Sequence, residues 1–533
     1  MNLGNLIKDS VLKFGEYEMF HDEGKWYCNT EVLQMANKLG NALKGMGVKK
    51  GDRVATQLTN CIEIMVTFFA VYRIGAIMVP MNPMLRPDQI SYIYKDTGAA
   101  VTVTNSMFLP WVREAQKMAP SLKQIILVDK QDEPGTLFFG NLLNSGGEDL
   151  TAADMDNDDV AVLIYTSGTT GGNPKGAMLS HYALWVNAMA MWENSLKAMP
   201  ATLRHKERSF DPAAWKQKER EFWVTSLDRM ATNLAILPLC HIYGIIIMNF
   251  IMLVGGTMVI VRRWDAGEVL KTIEKFHIGF LTLVPVMYIM LMSHPDFDKT
   301  DFSSLLACQC GAAPMDPVMG AKWYEKTGRH VQNGYGLTEC GGAATSIVPP
   351  YDVKYDSVGV NVYSCNRLKI FDNNDNELPA GQEGEIVIKG PTNMKGYWNK
   401  PEETALALVN GWLHTGDLGY VDKDGFYYVT GRKKDLIIRG GENVSPMEVE
   451  EVVCKHPKVV EAGCVGYADP VYGEEIKAFV VLKQGESCTE AEVIEFSKKY
   501  LPTFKQPKKV QFIDAIPKNM LGKMLRAELR KLG

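Results

Sequence analysis

From Gly51 onward the chain alternates short apolar, β-branched runs with stretches whose apolar residues recur at helical spacing. The runs RVATQLT (53–59), AVTVTN (100–105), QIILVD (124–129), FLTLVP (280–285) and LLACQC (305–310) have the length and branching of buried strands. Helical patterns such as Cys61–Ile74 lie between them. This βαβ rhythm predicts mainly parallel sheets covered by helices on both faces. After about Asn366 the pattern changes to strands with tight polar turns, as in RLKIFDNNDNEL, GEIVIKG and GFYYVTG, and Asp424–Gly425 marks a hairpin. A second boundary falls at Gly431–Asp435, where GRKKD concentrates charge behind a strand. The remainder, Leu436–Gly533, has the size and mixed pattern of one small α+β domain.

Leu234–Val261 is apolar enough to suggest a membrane span, but Pro238, His241, Asn249 and Gly255–Gly256 interrupt it. No unbroken stretch reaches the ~20 residues a span needs. A buried helix followed by a buried strand, TMVIV, is expected instead. The opening MNLGNLIKDSVLKFGEYE carries charges too early for a signal-peptide core, and RKLG matches no common address tag. A cytoplasmic location follows as an expectation.

Composition narrows the class. The 533 residues, 46% hydrophobic and 22% charged, describe an ordinary globular chain long enough for several domains. A net charge of −5 gives no footprint for nucleic acid, so an anionic substrate must be held by local charges and backbone dipoles. The ten cysteines show neither zinc spacing nor a disulfide framework.

The densest chemistry lies in Tyr165–Gly176, YTSGTTGGNPKG, directly after the apolar run DDVAVLI. Glycines after a strand let backbone N–H groups curl inward, and Ser167, Thr169, Thr170 and Lys175 add hydroxyls and a cation. Such a loop cradles a polyphosphate. It is not the common P-loop, because Gly176 rather than a hydroxyl residue follows Lys175.

Further motifs follow in order: PLCHIYG (238–244), CGAAP (310–314), NGYGLTE (333–339), HTGDLGYVDKDGFYYVTGRKKD (414–435), RGGENVSPMEVE (439–450) and IPKNMLGKMLR (516–526). Together with the glycine-rich loop they resemble the signatures of the adenylate-forming superfamily, whose members include acyl-CoA synthetases, luciferases and peptide-synthetase adenylation domains. The loop here is one residue longer than the family form, with Gly172 and Asn173 in the place of one residue. The resemblance covers about Gly51 to Arg526 and is closest to AMP-forming acyl-CoA synthetases. It implies an α/β fold with a large N-terminal region of two βα-layered sheets plus a small β subdomain (1–432, the subdomain at 366–432). A hinge (433–435) and a mobile α+β C-terminal domain (436–533) complete it.

The resemblance also implies roles. Thr166, Ser167, Gly168, Thr169, Thr170, Gly171 and Lys175 would hold the β- and γ-phosphates of ATP. Gly311, Ala312, Ala313 and Tyr335 would receive the adenine, Gly336 would belong to the same ATP/AMP site, Thr338 would meet the α-phosphate, and Glu339 a Mg²⁺ ion. Asp417 would accept the ribose hydroxyls, reinforced by Arg432. Lys523 would bridge the carboxylate and the α-phosphate, with Lys518 as its nearby competitor. After rotation about Lys434, Arg439, Gly440, Gly441 and Glu442 would line the tunnel for coenzyme A. His241 would gate or orient between acid and thiol, or serve as a buried structural histidine.

For the acid, His241–Ile242–Tyr243 lacks the Asp that peptide-synthetase domains use for an amino group. Gly336 stands where acetate-specific relatives have Trp and is expected to leave the pocket open. The lining segments Gly244–Met248, Val284–Met287 and Gly341–Ala344 are apolar or small. An apolar monocarboxylic acid of medium or longer chain is therefore expected first, and an aromatic or alicyclic acid second. An acyl-AMP ligase serving a carrier protein, a luciferase-like oxygenase and a non-catalytic binding module are the competing readings. Retention of Lys523, Glu339 and Asp417 argues against the last. Trp192–Arg229 reads as an insertion, either a solvated charged excursion or a cover over the acyl tunnel, an oligomer contact or a membrane-surface contact. A homodimer and a peripheral membrane contact are both left open.

Overall fold

The computed structural model describes residues 1–166, 173–198 (194–198 as backbone only), 232–312, 315–347, 353–361, 363, 365–519 and 522–532. The chain divides into two compact units. The first comprises Met1–Thr166, Lys175–Arg367 and Lys389–Leu413, and the second chiefly Leu368–Ile388 and His414–Gly533.

The first unit carries two sheets. In one, the strands run in the order Leu137–Phe138, Gln124–Leu127, Val101–Thr104, Arg53–Gln57, Ile77–Met81, Val160–Thr166 and Lys175–Ser180. All neighbours are parallel except the last pair, which forms a hairpin. The expected helix is Ile62–Arg73, and every residue in it but Glu63 is buried. That total burial explains why its sequence is apolar all round rather than on one stripe.

The second sheet has the parallel run Val331–Tyr335, Ala307–Cys310, Phe280–Leu283, Asn233–Ala235, Met258–Ile260 and Glu18–Asp22. Short antiparallel strands extend both ends. Leu234–Val261 resolves into the buried helix Ile242–Leu253 and the buried strand Met258–Ile260, as its pattern predicts. Among the described residues no helix is long and apolar enough to cross a membrane. Asn60 ties the two sheets together: its Nδ2 donates to the carbonyls of Ala235 (2.8 Å) and Leu237 (3.0 Å), and its Oδ1 accepts Leu239 N–H (3.2 Å).

In the second unit the strands 414–421 and Phe426–Arg432 pair antiparallel, with Gly384–Lys389 and Arg367–Phe371 beyond. The α+β segment that follows has a sheet centred on Gly473–Leu482, flanked by Val459–Asp469, Ile437–Arg439 and Lys509–Phe512. Helices Pro446–Cys454 and Glu490–Lys498 belong to the same segment. Its own core gathers Val449, Val453, Cys464, Ala478 and Val493, all fully buried. Among the described residues the segment thus has a buried cluster of its own. The insertion expected at Trp192–Arg229 lies outside the described residues beyond the helix His181–Ala198.

Candidate active site

Most of the motif residues of the first unit lie at the carboxyl ends of parallel strands, the edge where open α/β sheets bind ligands. Thr166 ends the strand Val160–Thr166, and Lys175 opens the antiparallel strand opposite it, in direct register. The hairpin therefore brings both ends of the glycine-rich loop together, and Thr166 Oγ1 donates to the Lys175 carbonyl (3.5 Å). Ser167, Gly168, Thr169, Thr170 and Gly171 lie outside the described residues. The Lys175 ammonium stands 5.1 Å from the ring centre of Tyr397.

Gly311 and Ala312 follow the strand Ala307–Cys310, and Tyr335 ends its neighbour, with Cys310 paired to Asn333. Ala312 has φ +68°, a left-handed conformation that costs a residue with a Cβ. The turn is held to a shape that an unconstrained alanine would avoid. Ala313 lies outside the described residues. An added Cβ on Gly311 would come within 2.8 Å of the Tyr243 ring, so the glycine lets the HIYG segment close against this loop.

Thr338–Cys340 is a single 3₁₀ turn after Tyr335. It presents Glu339, whose Oε1 accepts the Tyr397 hydroxyl at 2.9 Å. Oε2 accepts no hydrogen bond among the described residues. One carboxylate oxygen held and one open suits Mg²⁺, a hard cation that keeps several waters and takes one or two protein carboxylates alongside phosphate oxygens. Among the described residues no three His, Cys, Asp or Glu side chains gather into a metal cage.

Gly336 lies close against neighbouring backbone. A Cβ there would lie 1.7 Å from the Gly342 carbonyl oxygen. The missing side chain makes room for the backbone of Gly342 and Ala343. The glycine that faces the apolar wall is Gly342, at φ +118°, where a Cβ would meet Ile246 at 2.9 Å and Ile242 at 3.2 Å.

His241 caps the helix Ile242–Leu253 through its backbone, and its N–H donates to the Pro238 carbonyl (3.1 Å). Its Nε2 is buried and makes no hydrogen bond among the described residues. Burial lowers its pKa to about 4, so the ring is neutral near pH 7. It can orient or fill space but does not supply a positive charge.

In the second unit Asp417 and Arg432 face each other across the hairpin, Arg432 Nε to Asp417 Oδ1 at 2.7 Å. The turn bearing Asp417 is fixed by buried Glu385, which accepts the Gly416 N–H (2.9 Å) and contacts His414 Nδ1 (3.2 Å) and Lys433 Nζ (3.4 Å). Lys434 lies in the 3₁₀ turn Lys433–Asp435. Lys523 is exposed by surface area, yet its ammonium is within electrostatic range of Arg432, Asp417, Lys434 and Asp435. Desolvation, then the like charge of Arg432, lowers its pKa to about 8. Its competitor Lys518 is paired with Glu461 at 2.7 Å. The loop carrying both lysines is anchored by Arg526, which grips Glu450 (Nη2 to Oε2, 2.8 Å) and the Cys464 carbonyl (2.9 Å).

Gly440 (φ +59°) and Gly441 (φ +87°) form the hairpin turn between Arg439 and Glu442. Arg439 is clamped by Glu475 through Nε (2.8 Å) and Nη2 (2.7 Å). It braces the hairpin. Sequence reasoning passed over Tyr397, Asn60 and Glu385, whose partners lie far along the chain. The signal in reach was the run KGYWNKPEE around Tyr397, which combines an aromatic pair with a Pro-initiated helix.

The first unit thus carries the hairpin that brackets the glycine-rich loop and the carboxylate of Glu339, and the second unit carries an Asp–Arg pair beside a lysine of lowered pKa. Residues 7–398 match the family model of AMP-binding enzymes, and residues 448–523 that of the AMP-binding enzyme C-terminal domain. The chain belongs to the AMP-binding enzyme family. It is 33% identical over 559 residues to a long-chain-fatty-acid–CoA ligase of Escherichia coli O6:H1 (strain CFT073), covering 99% of this chain and 94% of that protein. It is 32% identical over 510 residues to a feruloyl-CoA synthase of Amycolatopsis sp, covering 94% and 93%. Among solved structures, the anthranilate CoA ligase AuaEII in complex with anthranoyl-AMP is similar over 100% of this chain and 97% of that one, with a TM-score of 0.86 and 27% identity. The protein is an AMP-forming acid–CoA ligase that uses ATP and coenzyme A.

Proposed function

We propose that the acid is an apolar monocarboxylic acid, with a fatty acid of medium or long chain as the first choice. The observation that carries this reading is the helix Ile242–Leu253. Its residues are buried almost throughout, and Ile242 and Ile246 stand against Gly342 without a charged group in the helix. Burying a methylene against such a wall contributes about 0.8 kcal/mol, so affinity should grow with chain length. The similarity to long-chain-fatty-acid ligases supports the same choice. An aromatic acid is the second reading, favoured by the similarity to a feruloyl-CoA synthase and to an anthranilate ligase.

In this reading the acid carboxylate attacks the α-phosphorus of ATP and pyrophosphate leaves. Thr166 and Lys175, with the loop between them, hold the outgoing phosphates, and Glu339 would hold Mg²⁺, which would supply positive charge against the phosphates. Asp417 and Arg432 hold the ribose, and Lys523 meets the charge developing between carboxylate and phosphate. The acyl-AMP then passes its acyl group to the coenzyme A thiol, with AMP as leaving group. Gly440 and Gly441 are assigned to the pantetheine arm, because glycines let a thin chain approach backbone closely.

The test is CoA-dependent AMP release across acetate, butyrate, hexanoate, octanoate, palmitate, benzoate and ferulate. Specificity constants rising from butyrate to octanoate or beyond support the fatty-acid reading. A preference for benzoate or ferulate replaces it with the aromatic one.

A further inference from the structure

We propose that Tyr397 is a positioning residue that holds the metal-binding carboxylate and the phosphate-binding lysine in one assembly. The inference rests on the roles proposed above for Glu339 and Lys175. Tyr397 belongs to a segment laid antiparallel beside the strand that Lys175 opens, with Ala177 opposite Tyr397. Four backbone bonds fix it: Lys395 N–H to Met178 O (2.8 Å), Met178 N–H to Gly396 O (2.9 Å), Trp398 N–H to Gly176 O (2.7 Å) and Met394 N–H to Glu339 O (2.7 Å). Trp398 pins the far end, its Nε1 donating to the Asp96 carbonyl at 3.0 Å.

From this fixed backbone one side chain makes two functional contacts. The hydroxyl donates to Glu339 Oε1 at 2.9 Å, and the ring stands 5.1 Å from the Lys175 ammonium, within cation–π range. Burial, then the charge of Glu339, raises the phenol well above its ordinary pKa, so it stays a donor. Mg²⁺ demands near-ideal geometry and gives up water reluctantly. A ligand carboxylate free to rotate therefore binds it less well than one with an oxygen already tied. The same ring gives Lys175 a defined resting place at the root of the phosphate loop. Tyr397 thus links the carboxylate proposed for Mg²⁺ to the lysine proposed for phosphate.

The contacts can be separated. Tyr397→Phe keeps the ring and removes the hydroxyl, whereas Tyr397→Leu removes both. Titration calorimetry of ATP into the full-length protein, at varied free Mg²⁺ and in EDTA, reads binding without turnover. In Tyr397→Phe the Mg²⁺ concentration for half-maximal enhancement of ATP binding should rise about tenfold, the order expected for losing a hydrogen bond to an ionised group. Its metal-free ATP affinity should stay at the wild-type value. In Tyr397→Leu both should weaken. An unchanged Mg²⁺ requirement in Tyr397→Phe, while Glu339→Gln loses the Mg²⁺ effect, overturns the positioning role. If Glu339→Gln keeps the full Mg²⁺ effect, the assignment of Glu339 fails and this inference with it. Should Tyr397→Leu not fold, Tyr397→Phe alone decides, with its melting temperature as control.

Discussion

Arg432 donates to Asp417 at 2.7 Å across a hairpin whose two strands place them directly opposite. Asp417 is 4% exposed, so the guanidinium partly compensates a carboxylate that would otherwise be costly to bury. In the proposed function this pair holds the acceptor for the ribose in place.

Asp417→Asn keeps the shape and removes the charge, leaving Arg432 without its ionic partner. We expect the KM for ATP to rise about tenfold or more, in line with the ~1.5–3 kcal/mol of a charge-assisted hydrogen bond. The KM for the acid should change little. A selective rise in the acid KM would show that Asp417 serves the acyl side instead.

Gly336→Ala tests whether that glycine only accommodates backbone or borders the acid. Its Cβ would lie 1.7 Å from Gly342 O and 2.9 Å from Ala343 Cα, both backbone atoms that cannot swing aside. Overpacking of this kind costs ~1–3 kcal/mol or more. Melting temperature should fall, and turnover should drop by a common factor for every acid from butyrate to palmitate. Ile246→Trp, on the apolar wall, should instead depress long acids selectively. If Gly336→Ala spared short acids and lost long ones, the glycine would border the acyl pocket after all.

His181 is fully buried, and its Nδ1 accepts the Leu3 N–H at 3.2 Å. Burial, then the N-terminal ammonium, lowers its pKa to about 3, against about 6.5 in the unfolded chain. The unfolded state therefore binds the proton first. The stability contribution is complete above pH ~6.5 and is lost as pH falls toward 3. His241, lowered to about 4, adds to the same limb. Melting temperature measured from pH 7 to 5 should decline less steeply in His181→Asn than in wild type. Equal slopes would remove His181 from the acid sensitivity.

What was legible in the sequence was whatever is written locally. Buried strands such as Val101–Thr104 and Phe280–Leu283 show themselves because both faces are covered and every position is apolar or β-branched. Motif residues at strand ends, Thr166 and Tyr335 among them, follow directly from where those strands stop. Pairings between distant residues were not legible. Glu18–Asp22 lies parallel to Met258–Ile260, and Arg439 is clamped by Glu475, because tertiary packing chose the partners. Which backbone packs against Gly336 was not legible for the same reason. A glycine says that a side chain is excluded, not which neighbour excludes it.

Lys523 joins the pH argument to the chemistry. Desolvation and Arg432 lower its pKa to about 8, while Asp417 and Asp435 oppose the shift. Its proposed role needs the ammonium, which is charged below about pH 8 and neutral above. Acid-dependent ATP–pyrophosphate exchange should therefore fall as pH rises through about 8. Lys523→Ala should reduce that exchange ~10²–10³-fold, the usual cost of losing one donor to a transition-state charge. The second half-reaction, thioester formation from preformed acyl-AMP, should be spared. Lys523→Arg retains a charge that does not titrate in this range. It should lower the exchange rate through altered reach and abolish the alkaline fall. An alkaline limb that survives in Lys523→Arg belongs to another group. Equal loss of both half-reactions in Lys523→Ala would place the lysine in the structure of the C-terminal segment rather than in the first chemical step.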